Sequence, residues 1–353
     1  MPDQNLTVQF ESQKSLTKLN TLGFSQQAER FIEIDNDDML SEVVEHANKK
    51  KWPIFILGGG SNIVLTNDIP GLVIRLSSNV LHYENRGEEN SWLFRLVASA
   101  GMNWHRLVRD TVSRGLSGLE NLSLIPGNTG AAPIQNIGAY GVELSDRFES
   151  LRALHLPTNE WHTFNLSACE FGYRDSYFKR HSAEYCISSV NLLIGNDKPF
   201  ETSYASLQSA LDRLDVEDLT PTIISDTVCK IRQGKLPNPE QICNAGSFFH
   251  NPIVSEAQYN GLKQRFPNLI AYPQEDGTTK LAAGWLIDSL GLRGNRQGAV
   301  GVYEKQALVL VHHGGGTGEQ LLAYAETIRS SVKKKYGVEL TLEPQMVPQL
   351  AQI

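Results

Sequence analysis

The segment from Ile125 to Val142, with the sequence IPGNTGAAPIQNIGAYGV, has no charged side chain in eighteen residues. It includes four glycines, three alanines and two prolines. Surface loops usually carry charge, and this much Gly and Pro excludes a core helix. Small residues let the backbone approach a neighbour closely and adopt unusual dihedral angles. We therefore interpret this segment, called the platform below, as backbone lying against a large flat cofactor; a Gly-rich turn cluster between two strands is the alternative.

The size and composition of the chain indicate a globular protein of two or three domains, since it has 353 residues with ordinary hydrophobic and charged fractions. A net charge of −7 argues against non-specific nucleic-acid binding, and no basic run exceeds Lys333–Lys335. No signal peptide or apolar run of membrane-spanning length is present, which predicts a cytoplasmic protein. The scattered cysteines indicate reduced thiols and no metal site: Cys169, Cys186, Cys229 and Cys243. The adjacent His312 and His313 are interpreted as core or rim residues.

The spacing of apolar residues predicts helices and strands along the whole chain. The predicted strands cover residues 53–57, 71–76, 93–98, 150–156, 161–166, 186–194, 306–311 and 338–342. The predicted helices are one capped by Asp37 or Asp38, one from Trp104 ending near Gly115, one around Ile223–Ile231, two around 256–265 and 281–290, and a long one ending at Gly337. We place a domain boundary at the Gly- and Pro-containing break over 234–239.

Two Gly-rich loops are candidates for phosphate binding. Gly58–Asn62 follows a predicted strand and offers a run of backbone N–H donors suited to a pyrophosphate, with a plain turn as the alternative. It lacks both the G-x-G-x-x-G spacing and the Gly-Lys-Ser/Thr end of a P-loop. Gly314–Gly318 precedes a helix and could bind an anion, but a surface connection is the favoured interpretation. The first loop and the platform together suit a dinucleotide bound without a Rossmann fold.

Several motifs occur in one order over nearly the whole chain. They are LGGGSN (Leu57–Asn62), PGNTGAAPIQNIGAYGVE (Pro126–Glu143), YRDS (Tyr173–Ser176), KLP (Lys235–Pro237), NAGSFFHNP (Asn244–Pro252), AGWLID (Ala283–Asp288) and LEP (Leu342–Pro344). In kind and order they resemble the UDP-N-acetylenolpyruvoylglucosamine reductase (MurB) family. His250 stands where most members of that family carry lysine.

The resemblance implies an α+β fold: a vanillyl-alcohol-oxidase-type FAD-binding region of two subdomains plus a smaller α+β substrate-binding domain. On this basis residues 1–234 form the FAD-binding region, with subdomains of about 1–78 and 79–234. Residues 235–336 form the substrate-binding domain, and 337–353 return to the FAD-binding region.

The resemblance also implies the residues that bind FAD. They are Gly58, Gly59, Gly60, Ser61, Asn62, Ile125, Gly127, Gly130, Ala131, Ala132, Ile134, Ile137, Gly138 and Arg232. Relatives of the fold often attach FAD covalently through a histidine near the glycine loop. No histidine occurs between Pro53 and Leu81, so non-covalent FAD is expected.

The implied reaction transfers hydride from NADPH to flavin N5 and then to C3 of an enolpyruvyl ether, in peptidoglycan precursor synthesis. Negative charge then develops at C2 and on the attached carboxylate, which requires a cation and an acid. The resemblance assigns Arg174 to the carboxylate and Ser247 as proton donor to C2, with Glu343 sharing the polarising role if burial keeps it protonated. From the residues alone, a surface ion pair of Arg174 with Asp175, a turn or cap serine and an exposed strand-end glutamate are the alternatives.

Four residues match family positions that bind substrate: Tyr173, Tyr204, Lys235 and Asn251. Tyr204 resembles the branch of the family with a mobile tyrosine loop, and Lys235 would meet charge on the nucleotide sugar or NADPH. The implied partners are UDP-N-acetylglucosamine enolpyruvate and NADPH, bound in turn by a monomer. Two other functions stay open: an FAD-dependent oxidase of the same fold, and a non-catalytic binder of flavin or nucleotide sugar.

Overall fold

A computed structural model describes residues 8–87, 93–196, 198–214, 216 and 218–348. The chain divides into two compact units. The first consists of the described residues within Met1–Lys14, Ala28–Gly59 and Ile69–Gly234, and the second of those within Ser15–Gln27, Gly60–Asp68 and Lys235–Ile353. Two short segments from the N-terminal third thus group with the C-terminal third. The assignment of domains to cofactor and substrate stays a prediction.

The elements follow in chain order. The strands are β1 Glu11–Ser15, β2 Gln27–Ile34, β3 Ile54–Ile56, β4 Ile63–Leu65, β5 Ile69–Leu76, β6 Leu81–Asn85, β7 Leu93–Ser99, β8 Gly138–Ala139, β9 Val142–Glu143, β10 Phe148–His155, β11 Glu160–Asn165, β12 Tyr185–Gly195, β13 Cys243–Ser247, β14 Ile253–Val254, β15 Ala271–Pro273, β16 Thr279–Leu281, β17 Arg296–Gln297, β18 Val300–Tyr303, β19 Gln306–His312 and β20 Gln345–Val347. The helices are α1 Asp37–Lys50, α2 Trp104–Ser113, α3 Tyr177–Arg180, α4 Ala205–Leu211, α5 Pro221–Lys235, α6 Glu256–Arg265, α7 Ala283–Asp288 and α8 Gly318–Tyr336.

The first unit begins with a four-stranded sheet of order β1–β2–β5–β3, in which β2, β5 and β3 are parallel. Helix α1 buries the predicted face of Leu40, Val43, Val44 and Ala47 in a core that contains side chains of β2 and β5. The prediction of this helix and of the neighbouring strands is confirmed, because an amphipathic period and a short apolar run are local signals.

The predicted cap of α1 is wrong. Asn36, with an extended backbone, is the N-cap, and its Oδ1 accepts the N–H of Met39 at 2.8 Å. Asp37 and Asp38 lie inside the first turn, where their negative charges interact favourably with the helix dipole.

A second sheet of the first unit is antiparallel, with order β11–β10–β12–β7–β6. Helix α2 packs on its core and buries Trp104, Leu107, Val108, Thr111 and Val112, as the sequence predicts. Gly115, with φ +73°, follows the C-terminal end of α2 in the left-handed conformation that favours glycine.

The second unit contains an antiparallel sheet of order β13–β19–β18–β17 and a three-stranded sheet of order β14–β16–β15. Helix α8 packs on β18 and β19 through the predicted stripe of Leu321, Ala325, Ile328 and Val332, all buried. Thr317 caps the helix in a capping box with Gln320, and Gly337 ends it at φ +70°. The long terminal helix is therefore confirmed.

The predicted final strand over 338–342 is wrong. Val338 and Leu340 are buried, but Leu342 forms only an isolated bridge with Phe249. Within the described residues the last strand is β20, which pairs in parallel with β4. An alternation of apolar and polar residues indicates extended chain, yet it does not reveal whether a partner strand is available.

Candidate active site

The platform folds as two 3-10 turns, Thr129–Ala131 and Pro133–Gln135, followed by the hairpin of β8 and β9. The N–H of Gly130 donates to the carbonyl of Ala100 at 3.0 Å. A Cβ atom on Gly130 would lie 2.5 Å from the Cβ of Ala100, so this approach requires glycine. Part of the platform's small-residue content therefore serves packing against the chain that leads into α2.

The glycine loop and the platform lie against each other in the first unit. A Cβ atom on Gly59 would be 2.7 Å from the Cα of Gly127, and one on Gly58 would be 3.4 Å from the Cβ of Ala131. The structure thus brings together four of the residues predicted to bind FAD, Gly58, Gly59, Gly127 and Ala131. Gly59 approaches the backbone of Gly127, which leaves no space there for a side chain, and Gly58 faces the methyl group of Ala131.

The rest of the glycine loop belongs to the second unit. Gly60 has φ +62°, and a Cβ atom there would lie 1.9 Å from the carbonyl oxygen of Leu19. The carbonyl of Asn62 accepts the N–H of Gln345 at 3.0 Å, and its Nδ2 donates to the carbonyl of Glu343 at 3.4 Å. Asn62 is therefore next to the main chain of the predicted catalytic Glu343.

Arg174 occupies a tight turn in the first unit. Gly172 and Asp175 exchange backbone hydrogen bonds of 3.0 and 3.2 Å, with Tyr173 and Arg174 between them. Arg174 has φ +54°, which is uncommon for a residue with a Cβ atom and is found preferentially at functional sites. The turn places the guanidinium 5.6 Å from the centre of the Tyr173 ring.

Two side chains of the YRDS motif attach this turn to the platform. Nη2 of Arg174 donates to the carbonyl of Gly138 at 2.7 Å. Oγ of Ser176 donates to the carbonyl of Ile134 at 2.7 Å, and Ser176 also caps α3. Asp175 forms an ion pair with Arg180, a residue of α3. The guanidinium of Arg174 is therefore held at the edge of the platform.

Arg232 projects from α5 into a polar cluster of the first unit. Within the part of the chain that the structure describes, the buried Nε atom of Arg232 has no hydrogen-bond partner. Burial lowers the pKa of Arg232, Arg174 lowers it further, and Tyr140 and Cys229 oppose the shift. A buried guanidinium near a second cation is costly unless an anion or a group rich in acceptors joins it. This cluster therefore has the chemistry of a site for a negatively polarised ligand.

His105 borders the same cluster. Its Nδ1 accepts the N–H of Leu124 at 2.8 Å, which requires the neutral tautomer with hydrogen on Nε2. Burial lowers the pKa of His105, and the charges of Arg109 and Arg232 lower it further. Neither His105 nor Tyr140 stands out in the sequence; Gly141 is a local sign of a turn, but a tyrosine gives no sign that it adopts φ +51° as Tyr140 does.

Ser247 ends β13 in the second unit, immediately after a bulge. Gly246 has φ +71°, and its N–H donates to Oδ1 of the buried Asn244 at 2.9 Å. The register of β13 against β19 shifts between Asn244 and Ser247, and Phe248 is fully buried beyond it. Bulges commonly change the direction of a side chain beside an active site, and Ser247 is the residue that follows this register shift.

Glu343 lies beside this strand end through main-chain pairing. Its N–H donates to the carbonyl of Phe248 at 3.0 Å, and the N–H of His250 donates to Thr341 at 2.9 Å. Both Ser247 and Glu343 are partly exposed. The second unit therefore brings together two of the three residues predicted to act in catalysis.

The residues predicted to bind substrate are in varied environments. Oδ1 of Asn251 accepts the N–H of Ala283 at 3.0 Å, so this oxygen holds the beginning of α7. Lys235 is the exposed last residue of α5. The Tyr204 side chain is 45% exposed, and its ring lies 5.3 Å from that of Tyr140 in an edge-on arrangement.

The second Gly-rich loop is a strand-to-helix connection, as the sequence favours. The N–H of Gly316 donates to Nε2 of His312 at 2.9 Å, and Nδ1 of His312 donates to the carbonyl of Leu22 at 2.8 Å. His312 is buried, which confirms its interpretation as a core histidine.

The part of the chain that the structure describes contains neither a cluster of metal ligands nor a membrane-spanning helix. Among the described residues, no group of three His, Cys, Asp or Glu side chains could hold a metal ion. None of the described helices is long and apolar enough to cross a bilayer.

Both halves of the chain are similar to known protein families. Residues 28–165 match the model of an FAD binding domain, and residues 238–347 match that of the UDP-N-acetylenolpyruvoylglucosamine reductase C-terminal domain. The UDP-N-acetylenolpyruvoylglucosamine reductase of Pseudomonas putida is 41% identical over 343 residues, which is 97% of this chain and 100% of that protein. The enzyme of the same name from Ralstonia nicotianae is 45% identical over 333 residues, 94% of this chain and 97% of that protein.

A solved structure shares the fold. The crystal structure of UDP-N-acetylenolpyruvylglucosamine reductase from Thermus caldophilus matches with a TM-score of 0.66 and 23% identity, over 96% of this chain and 99% of that one. The predicted fold class, an α+β FAD-binding fold with a C-terminal domain, is confirmed. Given the full-length similarity at 41–45% identity, the chain belongs to the UDP-N-acetylenolpyruvoylglucosamine reductase family.

Proposed function

We propose that this chain reduces UDP-N-acetylglucosamine enolpyruvate to UDP-N-acetylmuramate with NADPH and non-covalent FAD, in peptidoglycan precursor synthesis. The observation that carries the proposal is the bond from Arg174 to the platform carbonyl of Gly138. It holds a cation suited to the substrate carboxylate at the edge of the segment predicted to hold the flavin.

The residues present fit FAD. Gly58 and Gly59 pack on the platform and leave a backbone surface without bulky side chains. The buried Nε of Arg232, unpartnered among the described residues, supplies a donor for an acceptor-rich ring or a phosphate. When bound, FAD supplies the hydride transfer between NADPH and the substrate.

The side chains of the chain itself handle charge and protons. In the proposal, Arg174 binds the enolpyruvyl carboxylate through two N–H donors, since guanidinium matches carboxylate geometry. Ser247 gives a proton to C2, and Glu343 in its protonated form helps to polarise the carboxylate. The bulge at Gly246 and the bond from Glu343 to Phe248 support this assignment, because they hold both residues on paired backbone.

The remaining predicted contacts belong to the same proposal. Tyr173, Tyr204, Lys235 and Asn251 bind substrate, Asn251 through its amide nitrogen because its oxygen already accepts from Ala283. A monomeric state and a cytoplasmic location are also part of it. Sedimentation velocity at several protein concentrations tests the monomer.

The test follows NADPH absorbance with the purified protein under nitrogen and in air. Acid should release a yellow flavin, and NADPH oxidation under nitrogen should require the enolpyruvyl sugar. Oxidation that needs oxygen but no sugar would point to an oxidase instead. A flavin that is never reduced by NADPH would favour a binding protein.

A further inference from the structure

One buried asparagine joins the hairpin turn of the platform to the segment that carries Tyr204. Asn121 is 1% exposed and lies in a 3-10 turn after α2. Its Nδ2 donates to the carbonyl of Tyr140 at 2.7 Å and to the carbonyl of Glu201 at 2.8 Å. The three residues are far apart in sequence, so a single amide group links three chain segments of the first unit.

Two further contacts lie beside this link. Gly141 has φ +86°, and a Cβ atom there would be 2.9 Å from Cγ of Glu201. Oε1 of Glu201 in turn accepts the N–H of Ser203 at 2.8 Å. The chain from Glu201 to Tyr204 is therefore seated directly on the Tyr140–Gly141 turn.

The direction of the Asn121 bonds is chemically specific. Both partners are carbonyl oxygens, so only a group with two N–H donors satisfies them. Among the described residues, Oδ1 of Asn121 has no hydrogen-bond partner, so the link rests on the NH₂ group alone. An aspartate of the same size would place a negative oxygen against two acceptors.

We propose that Asn121 is a positioning residue that holds Tyr204 in place on the platform turn and thereby sets the affinity for the sugar nucleotide. The link to affinity rests on the proposed function, in which Tyr204 binds substrate. The two hydrogen bonds from Asn121 to Tyr140 and Glu201, called the clamp below, do not depend on that function and can be tested without an activity assay.

The central experiment compares Asn121→Asp with Asn48→Asp. Asn48 lies on α1 and its Nδ2 donates to the distant carbonyl of Leu156 at 2.7 Å, so this control also loses one long-range bond. Hydrogen exchange of the peptide covering 201–208 should quicken about tenfold or more in Asn121→Asp, since two hydrogen bonds are lost, and stay unchanged in Asn48→Asp.

The kinetic readout separates positioning from chemistry. In Asn121→Asp the KM for the sugar nucleotide should rise about tenfold, while flavin reduction at saturating NADPH stays within about twofold. Unchanged exchange over 201–208 overturns the clamp. Faster exchange with an unchanged KM overturns the effect on affinity. If no variant or wild type reduces the sugar, the proposed function fails while the exchange result still decides the clamp.

A second variant guards against a failure of Asn121→Asp to fold. Gly141→Ala keeps Asn121 but inserts a methyl group 2.9 Å from Cγ of Glu201, and so pushes the same segment off the turn. It should quicken exchange over 201–208 and raise the KM in the same direction. Wild-type values in a folded Gly141→Ala protein would contradict the proposal.

Discussion

The two units hold their predicted catalytic residues by different means. In the first unit, side chains do so: Arg174 and Ser176 donate to platform carbonyls. In the second unit, the main chain does so: Ser247 follows a bulge of a paired strand, and the N–H of Glu343 bonds to Phe248. A catalytic side chain in the second unit can thus be removed without loosening its support, whereas Arg174 is both a predicted catalytic group and part of the support.

The largest expected effect follows from this difference. Ser247→Ala should slow sugar reduction by about 10³-fold or more, because the proton donor is lost while its strand remains. Flavin reduction by NADPH and the melting temperature should stay near wild type, as measured by stopped-flow absorbance and calorimetry. Ser331→Ala, on α8, serves as the control. Equal losses in both half-reactions would mean that Ser247 is structural.

Substitution of Arg174 should affect two properties at once. Arg174→Lys keeps the charge but loses the two-pronged geometry, so we expect a fall in sugar reduction of about 10²-fold. Unlike Ser247→Ala, it should also lower the melting temperature, since the bond to Gly138 is disturbed. Asp175→Asn, which removes an exposed pairing with Arg180, should change little. If Arg174→Lys melts at the wild-type temperature, Arg174 is not part of the support, and the two units do not differ in this respect.

The packing of the glycine loop on the platform is tested by Gly59→Ala. Its Cβ atom would meet the Cα of Gly127 at 2.7 Å, and backbone cannot move aside cheaply. We expect FAD affinity to fall about tenfold or more, measured by flavin fluorescence. Gly234→Ala, in α5, meets no atom within 4 Å and should bind FAD normally and be at least as stable. Normal affinity in Gly59→Ala would show that the loop position is not needed for the cofactor.

The smallest expected effect is a pH dependence from His105. Its folded-state pKa is lowered, so below about pH 6.5 the unfolded chain gains a proton that the folded chain does not. The free energy of unfolding should therefore fall as the pH drops from 7.5 toward 5.5, as urea titrations can measure. His105→Gln, which keeps an acceptor for Leu124, should lose less stability over that range. An equal loss in both proteins would assign the effect to other groups.

Much of the fold could be predicted because its signals are local. The face of α1 and the stripe of α8 appear as apolar periods of about 3.6 residues, and the strand of 306–311 appears as a short continuous apolar run. The cap of α1 could not be distinguished, since four consecutive residues, Asp35 to Asp38, all have capping side chains. The final strand could not be placed, because its partner β4 is about 280 residues away.

The candidate site, too, could be predicted only where its features are local in the sequence. The uncharged platform and its glycines were visible as composition, and the motifs of Arg174, Ser247 and Glu343 as short strings. Three other features could not be seen in the sequence, because each depends on which distant segments meet in the fold. They are the hydrogen bond from Arg174 to Gly138, the buried Nε of Arg232 and the two hydrogen bonds that Asn121 donates.

By itself, the sequence determined most of the longer helices and strands, the absence of charged side chains from the platform and the presence of residues able to bind a carboxylate and donate a proton. These are properties of neighbouring residues, set by side-chain size, charge and spacing. The tertiary structure alone decided that residues 15–27 and 60–68 group with the C-terminal part, that β20 pairs with β4, and that Asn121 joins Tyr140 to Glu201. Such pairings are selected by the burial of polar groups between distant segments, and a buried donor must find its acceptor wherever the fold brings one.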